Sequence, residues 1–105
     1  MEYRIDKEIL YISLQGRIDA SNSADVEAKI NEIRNANPGK HTVLDADALE
    51  YISSAGLRVL LSAQKKMKQK GSMIVKNVCA EIMEVFEITG FADILTIARS
   101  EEAHV

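Results

Sequence analysis

The chain is poor in several things at once: one cysteine, one proline, no tryptophan, two histidines and only 5% aromatic residues in 105. Each scarcity excludes something. A lone Cys79 cannot close an internal disulfide, so a reducing, cytoplasmic setting is expected. No apolar run approaches the roughly 18 residues that argue for a membrane span. The charged start Met1-Glu2-Tyr3-Arg4-Ile5-Asp6-Lys7 lacks the apolar block of a signal peptide. A formal charge of −3 offers no basic surface to phosphate backbones, which argues against nucleic acid as a direct partner. No His/Cys/carboxylate set has metal-ligand spacing and no Gly-rich phosphate cradle appears, so neither metal nor cofactor is expected. What is present is 47% hydrophobic residues, enough for one packed core in a single domain, 1–105.

Periodicity divides the chain into short elements. Tyr3-Arg4-Ile5 alternates weakly and is expected to be an edge strand, paired through a turn at Asp6-Lys7-Glu8 with Ile9–Leu14. That second strand has Leu10, Ile12 and Leu14 on one face and Ile9 and Tyr11 on the other, as expected inside a sheet. Gly16-Arg17-Ile18-Asp19-Ala20 breaks it and leads to the N-cap candidates Ser21, Asn22 and Ser23. Val26, Ile30 and Ile33 mark a helix that Asn37-Pro38-Gly39 stops. His41–Leu44 reads as a short buried strand, and Asp45-Ala46-Asp47 as an acidic loop after it. Beyond residue 70 come a strand at Gly71–Lys76, a helix on Ile82, Val85, Phe86 and Thr89 ended by Gly90, and a last strand at Ile94–Ala98. Phe91 is expected to pack back on the helix that precedes it, and Ser100-Glu101-Glu102 to open about one helical turn. The order implies an α/β domain with a mixed sheet.

The stretch Leu49-Glu50-Tyr51-Ile52-Ser53-Ser54-Ala55-Gly56-Leu57-Arg58-Val59-Leu60-Leu61 organises the rest. Leu57, Leu60, Leu61, Gln64 and Met67 recur at helical spacing, and Lys65, Lys66, Lys68 and Lys70 suit the negative end of that helix before Gly71. A serine ahead of such a pattern is an ordinary N-cap. Two features point beyond a cap: two hydroxyls stand where one suffices, and Ala55-Gly56 leave the helix end uncrowded. A phosphate here would meet backbone N–H groups and the favourable end of the dipole. Its charge would lie beside Asp19, Asp45 and Asp47 and act on whatever docks. As an enzyme the chain is thin, since a nucleophilic serine needs a base. His41 stands before a strand, His104 is one residue from the C-terminus, and the serine context is not Gly-x-Ser-x-Gly. Met67, Met73 and Met83 are expected as core filler, Cys79 as a buried small hydrophobe, and the lysine run 65–70 as a solvated face.

Tyr51–Leu61 resembles the signature segment of STAS-domain proteins, specifically stand-alone anti-sigma factor antagonists. Gln15-Gly16-Arg17-Ile18-Asp19 is similar to the family's turn after the second strand, and Val85-Phe86-Glu87-Ile88-Thr89-Gly90-Phe91 to its third-helix ending. The resemblance implies a small mixed sheet with helices packed on one side. It also implies partner switching. The unphosphorylated antagonist binds an anti-sigma factor that is a serine kinase, phosphorylation breaks the complex, and a metal-dependent serine phosphatase restores it. The phosphorylated serine corresponds to Ser54, with Ser53 the second choice, and the family's loop aspartate to Asp19. Asp19, Ser53, Ser54, Gly56 and Arg58 are then expected to line the docking surface. Two departures stand out: Ser53 replaces an aspartate found in many members, and a fourth helix is short or absent. Rival expectations are the same switch acting on a non-sigma signalling or secretion regulator, a small enzyme or anion-binding protein using the serine pair, and a constitutive scaffold.

Overall fold

The structure is a computed structural model and describes residues 1–67 and 73–98. A five-stranded sheet has the order β1-β2-β3-β4-β5, formed by β1 (Tyr3–Asp6), β2 (Ile9–Ile18), β3 (His41–Ile52), β4 (Met73–Lys76) and β5 (Ile97–Ala98). β1 runs antiparallel to β2, and every later pairing is parallel, so the sheet is mixed. The parallel crossovers carry the helices α1 (Ser23–Ala36), α2 (Ser54–Met67) and α3 (Ala80–Thr89), the last followed by the single-turn α4 (Phe91–Ile94). The expected edge hairpin forms without a glycine: Lys7 takes the left-handed conformation instead, at φ 57°.

Register explains the layering. Leu10, Thr42 and Met73 align across three strands, as do Ile12, Leu44 and Val75, and all six are buried. Ile30 and Ile33 of α1, Leu57, Leu60 and Ala63 of α2, and Ile82 and Phe86 of α3 join them in one core. The alternate residues Tyr11, Val43 and Ile74 are half-buried, so the helices cover one face only. Ile9 and Tyr11 therefore lie under no second helix layer. The Tyr11 ring is instead covered by long cations, with Arg4 Cζ 3.9 Å and Lys76 Nζ 5.3 Å from its centroid.

β3 is longer than its sequence pattern indicates. It continues through Asp45-Ala46-Asp47 to Ile52, so no acidic loop separates strand from helix. The reason lies in its pairing. Ser13 pairs with Asp45 but Gln15 with Ala48, and Gly16 pairs with Leu49 but Arg17 with Tyr51. Each shift places one extra residue in β3, as β-bulges do. The buried positions Thr42, Leu44, Ala46, Leu49 and Ile52 consequently change from two-residue to three-residue spacing, and alternation is lost to the eye. Gly16, at φ 68°, stands in β2 beside the second shift, in a backbone conformation that favours glycine.

Two further expectations change. Ile94–Ala98 is not one strand: Leu95 N–H donates to Phe91 O and Asp93 N–H to Gly90 O, so helical bonding continues past Gly90 and β5 keeps only Ile97–Ala98. Phe91 does pack against the core, as does Met83, and Met73 is buried within it. Cys79 is exposed. After Lys76 the chain leaves the sheet through Asn77, at φ 60°, and Cys79 lies in the loop ahead of α3. The Met67 side chain and residues 68–72 and 99–105 lie outside the described residues, which covers Lys68, Lys70, Gly71 and the Ser100-Glu101-Glu102 turn.

Phe86 is fully buried, whereas Ile88 on the same helix is 78% exposed. Phe86→Ala is expected to lower unfolding stability in urea by about 3–5 kcal/mol, and Ile88→Ala to change it by no more than about 0.5 kcal/mol.

Candidate functional site

The long parallel pair β2–β3 outruns β4, and α2 begins where that pair ends. Ser53 N–H donates to Ile18 O at 2.9 Å, which ties the start of the helix to the end of β2. Gly56 completes the joint. A Cβ there would lie 2.6 Å from Ile52 Cγ1, 2.8 Å from Ile18 Cγ2 and 2.9 Å from Ile18 O. Only glycine lets the first turn of α2 sit this close, and the close approach sets where the preceding serines point.

The two serines have different tasks. Ser53 O accepts from Leu57 N–H at 2.9 Å, and Ser53 Oγ accepts from Gly56 N–H at 3.4 Å. Ser53 is thus the N-cap, half-buried and engaged with the helix it starts. Ser54, the first residue of α2, is exposed, and its hydroxyl has no hydrogen-bond partner among the described residues. Arg58 lies four residues further along α2, also exposed. Gly56 is buried, so it underlies this surface and does not face out from it.

Asp19 follows Ile18, whose carbonyl accepts from Ser53 N–H, and is held in a hydrogen-bonded turn. Its Oδ1 accepts from Ser21 Oγ at 2.6 Å and from Ser21 N–H at 3.0 Å. Asn22 braces the turn from within: its Oδ1 accepts from Asp19 N–H at 2.8 Å and its Nδ2 donates to Arg17 O at 2.7 Å. Asn22 occupies the N-cap position of α1, but its side chain is spent on this turn and not on the helix. The Ser21 hydroxyl and N–H, followed by the Arg17 charge, hold the Asp19 carboxyl below its ordinary pKa.

Arg17 and Tyr51 were not among the expected site residues, yet the register pairs them at the exposed end of the ribbon. Arg17 Cζ lies 4.3 Å from the Tyr51 ring centroid and its Nε lies 3.8 Å from Asp19 Oδ2. Tyr51 is 43% exposed. An exposed Arg–Tyr pair is the type of surface that partner proteins anchor on. The sequence signal was their placement one residue before Ile18 and Ile52, on the face opposite the core. By contrast, Asp45 and Asp47 do not join the site. About 3.3 Å per residue along β3 separates them from Ser54, and Asp45 instead accepts from Asn77 Nδ2 and Asp47 N–H. His41 stands exposed at the far end of the 12-residue β3, out of reach of either serine. Among the described residues no group of three His, Cys, Asp or Glu side chains is placed to hold a metal ion, and no helix is long and apolar enough to cross a membrane.

The STAS-domain family model matches residues 1–104. The chain belongs to the STAS-domain family. BtrV of Bordetella bronchiseptica, named as an anti-sigma factor antagonist, is 37% identical over 98% of this chain and 90% of its own length. Two solved structures share the fold. One is an anti-sigma factor antagonist from Thermotoga maritima, with a TM-score of 0.85 at 18% identity, covering 98% of this chain and 90% of that one. The other is the Bacillus protein SpoIIAA in its phosphorylated form, with a TM-score of 0.67 at 22% identity over 97% of this chain and 94% of that one. The five-stranded mixed sheet with helices on one side is thus the STAS architecture, as the resemblance implied.

Two outcomes test this geometry. Gly56→Ala is expected to destabilise the STAS domain by about 1–3 kcal/mol in urea unfolding, because a methyl group has to displace backbone as well as side chains. Ser21→Ala is expected to raise the Asp19 titration midpoint, followed by carboxyl NMR, because the two Ser21 donors are the chief cause of its lowering and the hydroxyl is the larger of them. Asp19's folded pKa is depressed, so its contribution to stability is present above about pH 4 and is lost as pH falls through the folded value. The Ser21→Ala variant is expected to show less of that acid-side loss.

Proposed function

We propose that this STAS domain is an anti-sigma factor antagonist that works by partner switching. Unphosphorylated, it binds an anti-sigma factor that is also a serine kinase and so frees the sigma factor. The kinase phosphorylates Ser54, the complex separates, and a serine phosphatase resets the switch. The domain itself has no catalytic part in the cycle, which runs in the cytoplasm where sigma factors act. Asp19, Ser53, Ser54 and Arg58 form the docking surface, with Gly56 beneath it.

One observation carries the reading: the serine pair is divided, so that Ser53 caps the helix and Ser54 presents an idle hydroxyl to solvent. The names of BtrV and the Thermotoga protein support the sigma-factor assignment, and the phosphorylated SpoIIAA structure supports a phosphate on this fold. Energetics favour the same division. At the N-terminus of α2 a phosphate is stabilised by the helix by about 0.3–1 kcal/mol, so the fold persists. In an interface the same charge of about −1.5 to −2 meets desolvation and repulsion worth several kcal/mol. A loss of about 3 kcal/mol lowers affinity by about a hundredfold, enough to release a partner.

Incubation with the cognate kinase and ATP, followed by mass spectrometry, is expected to find phosphate on Ser54. Ser54→Ala should abolish it. Ser53→Ala should retain it while costing about 1 kcal/mol of stability. Ser54→Asp should fold normally and bind the kinase at least about tenfold more weakly. Phosphate confined to Ser53, or to neither serine, would refute the proposal, and capture of a kinase that controls no sigma factor would transfer the switch to another regulator.

A further inference from the structure

Arg58 has no assigned task in the fold. It is exposed on α2 and makes no hydrogen bond or ion pair among the described residues, where the only salt bridge is between Arg17 and Asp19. Ser54 and Arg58 are four residues apart in α2, so their side chains leave the same face with Cβ atoms about 5–6 Å apart. An anion on the N-terminal member and a cation on the C-terminal member is the favourable orientation for such a pair. The guanidinium donors also match a phosphate in two-pronged fashion.

The neighbouring charges are placed differently. Arg17 is already stacked on Tyr51 and leans on Asp19. Asp19 is occupied by Ser21, and Glu50 is exposed near the end of β3. Neither carboxylate lies within 4.0 Å of Arg58 to compete with a phosphate for it.

We propose that a phosphate on Ser54 draws the Arg58 guanidinium onto itself, so that modification withdraws a cation from the docking surface as well as adding a dianion. In the unmodified domain Arg58 is open to a carboxylate of the partner. In the modified domain its donors are turned inward along α2. Release then has two components, a repulsive charge gained and an attractive one masked. The inference rests on Ser54 being the modified residue.

The test uses the full chain with phosphoserine installed at position 54 by genetic encoding, so that no kinase is needed. The second ionisation of the phosphate, ordinarily near about pH 6, is followed by 31P NMR in the parent, in Arg58→Gln and in Arg17→Gln. A cation held against the phosphate favours its dianion. Arg58→Gln is therefore expected to raise the midpoint by a few tenths of a pH unit, and Arg17→Gln by less. In about 1 M salt the difference should collapse. An unmoved midpoint in Arg58→Gln, or an equal or larger rise in Arg17→Gln, overturns the proposal. The parent reading fails separately, if the kinase modifies a residue other than Ser54. A flat titration alongside kinase modification of Ser54 removes only the role of Arg58.

Discussion

The contact between Gly56 and the ends of two strands is the constraint on which the site depends. Ile18 and Ile52 close the core at the tip of the β2–β3 ribbon, and the first turn of α2 rests on them with no room for a methyl group. That closeness delivers Ser53 to the Ile18 carbonyl and makes it the cap. Once Ser53 is committed, Ser54 is left as the first exposed hydroxyl. The chemistry of the site is thus a by-product of a packing requirement.

A second constraint is the pair of register shifts in β3. Both shifts lie on the helix side of Asp45, which pairs with Ser13 and with Lys76. They lengthen β3 relative to β2 between Asp45 and the start of α2, and Asp45 is held by Asn77, at the loop into α3. What reaches the tip is a balanced set, with Arg17, Asp19, Tyr51 and Arg58 around the serine pair. On the proposed function, a phosphate on Ser54 would reverse the sign of this set instead of deepening an existing charge.

The turn at Asp19 is braced by its own side chains. Asn22 closes it onto Arg17 and Asp19, and Ser21 fills the carboxylate's acceptor sites. Arg17 rests on the exposed Tyr51 ring and on a 3.8 Å ion pair with Asp19, both weak interactions at a solvated surface.

Much of this was legible in the residues alone. Helical spacing located α1, α2 and α3, Gly90 marked the end of α3, and the serine pair with Gly56 singled out the start of α2. These signals are local: caps, stops and periodicity act between residues a few positions apart, and the chain carries them wherever it folds. What tertiary structure decided involves partners distant in sequence. Bulges exist only in a paired strand, so β3 looked like a short strand and a loop until β2 was set beside it. Pairing likewise brought Arg17 to Tyr51, and turned Cys79 outward once the chain left β4. The division of labour between Ser53 and Ser54 belongs to the same class, because it follows from where Ile18 stands, 35 residues earlier in the chain.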